Sequence, residues 1–300
     1  MEQKQAAVGM TKLDRENVYE WKKVKDRITT HLVERAGVPF LQFSLLEETG
    51  IATHAFSTRL GGVSEGVCST MNVSFTRGDR EEAVRENYRR LGEAVGFDCA
   101  DLVCSDQTHT TNIRAVTEAD RGKGFARPKD YTDIDGLITN VPGLVLATFY
   151  ADCVPLYFVD PVKRVIGLSH SGWRGTVHKM AIATVRKMQE TFGCDPVDIR
   201  SVVGPSICQE CYEVSEDVIE EFEKVFDKKY RNKLFYRKEN GKYQLNLWMA
   251  NKIIFLEAGI PEENISMPNL CTCCNPEFLF SHRASHGKRG NLGAFLGIRS

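Results

Sequence analysis

The sequence predicts an α+β fold: a single domain of mixed β-sheets, sandwich-like and flanked by helices. Three observations carry this reading. Short runs rich in β-branched and aromatic residues recur between turn residues, amphipathic helical stretches are scattered among them, and no regular strand–helix–strand rhythm of a parallel sheet appears. No repeat, low-complexity segment or Pro/Gly-rich linker divides the 300 residues. Residues 38–300 therefore read as one domain behind an N-terminal extension of residues 1–37.

The strands expected along the chain are Phe40–Leu46, Ala52–Ser57, Gly136–Thr139, Leu144–Ala151, Leu156–Val159, Val165–His170 and Ile199–Val203. A first helix should follow Asp79, which with Glu82 makes a capping-box-like start, because Ala83, Val84, Tyr88, Leu91 and Val95 recur at helical spacing. A second should run from Thr176 to Phe192, with Val177, Met180, Ala181, Val185 and Met188 on one face and Gly193 as its stop. A third starts at Ser215 and buries Val218, Ile219, Phe222 and Phe226. A fourth spans Leu245–Ala258 and ends at Gly259 before Pro261.

At 42% hydrophobic residues the chain has ample material for a core. Lys+Arg 39 against Asp+Glu 40 leaves a net charge of −1 and no basic stripe, which argues against nucleic acid as a partner. The charge-dense segment Glu216–Lys229 mixes both signs and reads as a solvated helix face. The N-terminus shows no apolar run of a signal peptide. The most apolar stretch, Val141–Val159, is interrupted by Pro142, Gly143, Asp152 and Pro155, so no membrane span is expected. A cytoplasmic location follows by default. In that compartment the ten cysteines read as core residues, metal ligands or nucleophiles before disulfides.

Three local patterns carry candidate chemistry. Cys104-Ser-Asp-Gln-Thr-His109 follows a short apolar piece, Ala151-Asp-Cys153-Val-Pro-Leu156 interrupts the most hydrophobic strand, and His170-Ser-Gly-Trp-Arg-Gly-Thr176 joins a strand to a helix. Taken singly, each has a plain structural reading. Cys153 fits as a small buried hydrophobe, His170 as a backbone-bonded strand end, His109 as a surface loop residue, and the Gly172/Gly175 turn as turn chemistry or an anion site. Nothing in their spacing joins the three.

Six blocks in order supply the link: Phe56-Ser-Thr-Arg-Leu-Gly-Gly62; Gln107-Thr-His109; Ala151-Asp-Cys153-Val-Pro155; His170-Ser-Gly-Trp-Arg-Gly175; Val203-Gly-Pro-Ser-Ile207 with Cys211-Tyr-Glu-Val214; and Cys271-Thr272 followed by Phe280-Ser-His-Arg283. Together they resemble the polyphenol oxidase/laccase-domain family, whose members also carry the labels purine nucleoside phosphorylase and peptidoglycan editing factor. The resemblance runs from about residue 38 to the C-terminus. It departs at Thr110, where the family usually has glycine after the histidine.

The resemblance implies a zinc ion held by His109, Cys153 and His170. Three protein ligands leave one tetrahedral position open, as catalytic zinc requires, whereas structural sites are closed by four. That position can lower the pKa of a water to roughly 7 or orient a phosphate oxygen. Copper is the weaker choice: a multicopper oxidase needs a histidine-rich cluster, and the chain has seven histidines and no His-x-His. A rival site is the two CxxC pairs Cys208/Cys211 and Cys271/Cys274. The 59 residues between them far exceed the spacing of a zinc ribbon, so paired buried or loop thiols are expected there.

The function implied is a zinc-dependent purine nucleoside phosphorylase acting on adenosine, inosine or guanosine with phosphate to give ribose 1-phosphate and free base, with adenosine deamination as a further activity. Arg59 is the candidate phosphate clamp, or else a loop residue tied to backbone carbonyls. Asp152 is the candidate general base or the partner that orients a ligand imidazole. Strand alternation points it away from Cys153 unless the chain bends before Pro155. Arg174 and Arg283 are lesser candidates. Two other classes stay open: a hydrolase of cell-wall precursors with Cys153 as nucleophile and His170 as base, and a non-catalytic partner-binding module.

Overall fold

The computed structural model describes residues 21–22 and 29–299. Most of the expected extension lies outside these residues. Its end, however, is a strand: Thr30–Arg35 (β1) pairs along its length with Val38–Phe43 (β2). The latter ends sooner than its apolar run suggests, because Ser44–Glu47 turns into the short helix α1 and buries Leu46.

Two six-stranded mixed sheets face each other, as the sequence predicts. The first has the order β1, β2, Ala52–Ser57 (β3), Leu292–Ile298 (β15), Val145–Tyr150 (β7) and Leu102–Cys104 (β4). The second runs Ile265–Ser266 (β14), Arg200–Val203 (β10), Val154–Asp160 (β8), Val165–Ser171 (β9), Gly136–Thr139 (β6) and Ile113–Ala115 (β5). A small third sheet holds Glu213–Val214 (β11), Tyr243–Leu245 (β13) and Phe235–Arg237 (β12). Antiparallel pairs dominate, but β4/β7, β5/β6 and β10/β14 are parallel, the last two at or next to the edges of the second sheet.

Between the two large sheets, Leu41, Phe56, Leu146 and Leu296 of the first meet Tyr157, Val159, Ile166 and Leu168 of the second. The Tyr157 hydroxyl crosses this layer and donates to the Ala55 carbonyl at 3.0 Å. Each sheet covers its other face with helices. Glu81–Val95 (α2) lays Val84, Tyr88 and Leu91 against Phe40, Ala55, Ala147 and Phe295. Met180–Phe192 (α4), Glu216–Val225 (α5) and Leu247–Glu257 (α7) pack on Ile138, Leu156, Phe158 and Val203 of the second sheet, with the four-residue helix Arg231–Leu234 (α6) beside them. Strands β8 and β9 are buried on both faces, which is why they read as continuous apolar runs rather than alternating ones.

Three helix expectations need correction. Asp79 does not cap α2: its carboxylate accepts from the Ser64 hydroxyl at 2.6 Å and from the Asn72 amide at 2.9 Å, tying two loop segments together. The expected helix Thr176–Phe192 is two helices, Trp173–Val177 (α3) and α4, separated at Lys179 with φ 58°. Thr176 is held in α3 by bonds to the Gly172 carbonyl, so the axis must turn before Met180; the stop at Gly193 stands as expected. Leu245 belongs to β13, and α7 starts after Asn246, whose side chain accepts from the Met249 amide.

Candidate metal centre

The chain crosses from the first sheet to the second twice within a short distance. Between β4 and β5 the crossing carries His109, and between β7 and β8 it carries Asp152 and Cys153. The end of β9 adds His170. These crossings bring the three residues together: one nitrogen of each histidine and the Cys153 sulfur all lie within 4.8 Å of one another. The two imidazoles meet edge to face, with centroids 4.9 Å apart.

One residue missing from the sequence expectations organises the cluster. Asp135, fully buried at the start of β6, accepts from the amides of Thr108 (3.0 Å), His109 (3.1 Å) and Thr110 (2.9 Å). It thereby pins the turn on which His109 sits at φ 68°. Its Oδ1 also lies 2.8 Å from His170 Nδ1. A proton on Nδ1 bonded to carboxylate leaves Nε2 with its lone pair free, the arrangement that a metal-ligating imidazole needs. The imidazole-orienting role proposed for Asp152 thus falls to Asp135. The only trace of it in the sequence is an acidic residue just before an apolar strand.

Asp152 does reach the cluster, because a left-handed turn (φ 89°) replaces the strand alternation that would have separated it from Cys153. Its two oxygens are already engaged, by the Thr272 hydroxyl at 2.6 Å and the Arg283 amide at 2.7 Å. Gly172 completes the cradle. A Cβ there would lie 3.0 Å from the His109 ring and 3.1 Å from the Cys153 sulfur, so any larger residue just after β9 would push one of these two by a few tenths of an ångström.

Burial opposes ionisation of Cys153, but the charge of His170 and hydrogen bonds from His109 and His170 outweigh it and bring the thiol down to about 6. Burial likewise opposes charge on His170, yet the Cys153 thiolate and Asp135 raise it to about 9, so without an ion its Nε2 carries a proton that a metal would displace. The site therefore favours the thiolate, the form in which cysteine ligates a metal. Two nitrogens and one thiolate, one imidazole fixed from behind and a cradle open on one side suit a tetrahedral ion with an exchangeable fourth position.

A cavity of about 440 Å³ opens onto His109, Cys153 and His170 and is lined also by Phe75, Arg77, Lys129, Tyr150 and Arg289. Lys129 is paired with Asp106. Among the described residues, Arg77 and Arg289 have no carboxylate partner within ion-pair distance; Arg289 Nη1 donates to the Asn291 side chain and the Gly290 carbonyl, and its buried Nε has no acceptor. Burial, with Arg77 beside it, lowers the Arg289 guanidinium to about 10, so it stays cationic at neutral pH. On the far side a small cavity of about 90 Å³ is lined by Asp152, Trp173, Arg174 and Tyr212 as well as His109 and Cys153.

The structure does not bring Arg59 to this cavity. Its guanidinium donates to the Ser69 carbonyl (2.9 and 2.7 Å) and the Pro276 carbonyl (2.7 Å), and lies over the Phe280 ring. That is the loop-tying role, the second of its two sequence readings. Arg283 is similarly committed, to the carbonyls of Cys211 and Glu213. Arg174 lies over Trp173, its centre 4.3 Å from the ring centroid. No helix among the described residues is long and apolar enough to cross a membrane.

Comparison with known proteins agrees with the six blocks. The family described as multi-copper polyphenol oxidoreductase laccase matches residues 53–299. A Bacillus subtilis protein named purine nucleoside phosphorylase YlmD is 34% identical over 248 residues, covering 81% of this chain and 87% of that protein. A protein from an unknown prokaryotic organism, named adenosine deaminase RL5, is 34% identical over 232 residues, covering 76% of this chain and 87% of its own. Among solved structures, the Bacillus licheniformis hypothetical protein YfiH superposes with a TM-score of 0.83 at 34% identity, over 89% of this chain and 99% of that one.

Proposed function

The chain belongs to the multi-copper polyphenol oxidoreductase laccase family, and from that premise we propose that it is a zinc-dependent purine nucleoside phosphorylase. The observation that carries this reading is the joining, in one cavity of about 440 Å³, of the His109–Cys153–His170 ligand set with the uncompensated cations Arg77 and Arg289. A volume of this size suits a small-molecule ligand, and relatives named purine nucleoside phosphorylase supply its class. The family's multi-copper label would need a histidine-rich cluster. Of the two groups of potential ligands among the described residues, only this one contains histidine, and it contains two.

When bound, zinc supplies a Lewis-acid position facing the cavity, at which an oxygen of phosphate or water is polarised. Arg77 and Arg289 hold the phosphate dianion; the half-buried Arg289 has Nη1 on the Asn291 side chain and keeps its Nε free to donate. Phe75 and Tyr150 give the cavity an aromatic wall for the purine. A phosphate oxygen then bonds to C1′ of the ribose as the bond from C1′ to the purine nitrogen breaks, and the electron pair leaves with the base. Asp152 holds the turn that presents Cys153 rather than moving a proton, because both its oxygens are occupied by Thr272 and Arg283. Adenosine deamination would use the same cavity with water in place of phosphate, as the similarity to the protein named adenosine deaminase suggests.

The test is phosphate dependence. Adenosine, inosine and guanosine are each incubated with the enzyme in phosphate or in a non-nucleophilic buffer, and base, ribose 1-phosphate and ammonia are measured. Ribose 1-phosphate should form only with phosphate. Equal base release in both buffers would mean hydrolysis and remove the role given to Arg77 and Arg289.

A further inference from the structure

We infer that Cys208, Cys211, Cys271 and Cys274 form a second, closed metal site, a four-thiolate structural centre for zinc or a similar thiophilic divalent cation. This assignment does not depend on the function proposed for the first site.

The sequence spacing argues against it, since the two CxxC pairs are far apart. The fold removes the objection. Strands β10 and β14 run parallel as neighbours, so the loops that leave them emerge at the same end of the sheet. A bridge between Ser206 and Cys271 and a bond from the Thr272 amide to the Ser206 carbonyl (3.1 Å) then clamp the two loops side by side. The 59 intervening residues form the third sheet, the helices α5–α7 and then β14 rather than a ribbon hairpin.

The four sulfurs converge, all within 4.8 Å of one another. Cys274 lies 3.4 Å from Cys211 and 3.9 Å from Cys208. A tetrahedral ion with metal–sulfur bonds of about 2.3 Å sets its sulfurs about 3.8 Å apart, whereas a disulfide needs about 2.05 Å. All ten cysteines of the chain are free thiols. The buried Cys271 sulfur accepts from two backbone amides, those of Cys208 (3.2 Å) and Cys274 (3.4 Å). Two amide donors aimed at one sulfur stabilise its thiolate, and such bonds hold and tune ligands in metal–thiolate sites. Four protein ligands leave no open position, which makes this centre structural. Cys273, the fifth thiol of the stretch, is not one of the four.

The centre would brace the first site. The Ile207 amide donates to the Asp152 carbonyl at 3.0 Å, and the Thr272 hydroxyl to the Asp152 carboxylate. Each of these residues adjoins a ligand cysteine, so both cysteine loops grip the residue preceding Cys153. Arg283 adds a third tie, from the Cys211 carbonyl to Asp152.

Metal analysis of protein purified without chelator tests the assignment. Wild type should carry two zinc ions per chain and Cys153→Ala one. In Cys153→Ala, X-ray absorption should show a shell of four sulfurs at about 2.3 Å, and cobalt replacement should give intense thiolate-to-cobalt absorption. The double variant Cys208→Ser/Cys274→Ser should lose this ion; if it fails to fold, the Cys153→Ala spectra decide alone. A Cys153→Ala protein without metal, or one whose intact mass shows a disulfide among these cysteines, overturns the proposal. Wild type holding only the four-sulfur ion would instead overturn the reading of the first site.

Discussion

Asp135 serves both histidines of the cluster, through the His109 amide and the His170 ring. Asp135→Asn replaces one of its two acceptor oxygens with an amide group. It should weaken metal binding by about 10- to 100-fold, measured by competition with a chromophoric chelator. Asp152→Asn should lower metal occupancy and kcat without shifting the pH profile; loss of an ionisation limb would restore Asp152 as general base. The two arginine readings separate in the same way. Arg289→Ala removes a charge-assisted donor worth about 1.5–3 kcal/mol and should raise the KM for phosphate roughly 10- to 150-fold. Arg59→Ala should leave that KM unchanged and cost about 1–3 kcal/mol of stability, because it abandons the carbonyls of Ser69 and Pro276. Metal-free protein offers a pH test. With the Cys153 thiol lowered to about 6, the thiolate is present above that pH and lost as pH falls through it. Alkylation of chelator-treated protein, mapped to Cys153, should titrate near 6 rather than near the ordinary thiol value of about 8.5.

At the scale of elements, much was legible because local pattern and tertiary packing agree. The β-branched and aromatic runs of Ala52–Ser57 and Gly136–Thr139 are buried almost throughout, and the amphipathic spacing of α2 and α5 turns one face to the core. The misses have physical causes. Short strands such as β4, β5 and β14 carry two or three residues and depend on partners far away in sequence, so no local period announces them. Lys179 looks helical but is held left-handed, because α3 must follow Gly172 before α4 can lie on the sheet. The candidate ligands His109, Cys153 and His170 were legible through a resemblance, whereas Asp135 and Arg289 lie outside its blocks. The four-cysteine cluster was visible as two pairs but not as one group, since its convergence rests on the β10/β14 pairing. Gly172→Ala tests the crossing geometry. Its Cβ would press on His109 and Cys153, so metal content should fall sharply while the circular dichroism spectrum stays unchanged.

Over the whole molecule, two sheets packed face to face and sheathed by helices leave the strand crossings at the sandwich rim as the place where polar ligands can gather without opening the core. The scaffold should therefore tolerate loss of the first metal better than loss of a core aromatic. Phe158, fully buried against Phe255 of α7 with centroids 5.3 Å apart, should cost about 3–5 kcal/mol when replaced by alanine, read from the denaturant midpoint at constant slope. The central claim is that His109, Cys153 and His170 act together as one metal-dependent centre. A thiol hydrolase would need only Cys153 as nucleophile and His170 as base; His109, exposed on its loop, would there do no more than help hold the thiolate. The direct measurement is phosphate-dependent release of ribose 1-phosphate by His109→Ala, with its metal content and the alkylation rate of Cys153 followed in parallel. The account predicts a folded protein that has lost the ion of this site and at least about 100-fold of its activity, a loss typical of a key catalytic contact, with Cys153 newly exposed to iodoacetamide. Full turnover in His109→Ala, with Cys153 rapidly alkylated in wild type and activity lost in step, would contradict it.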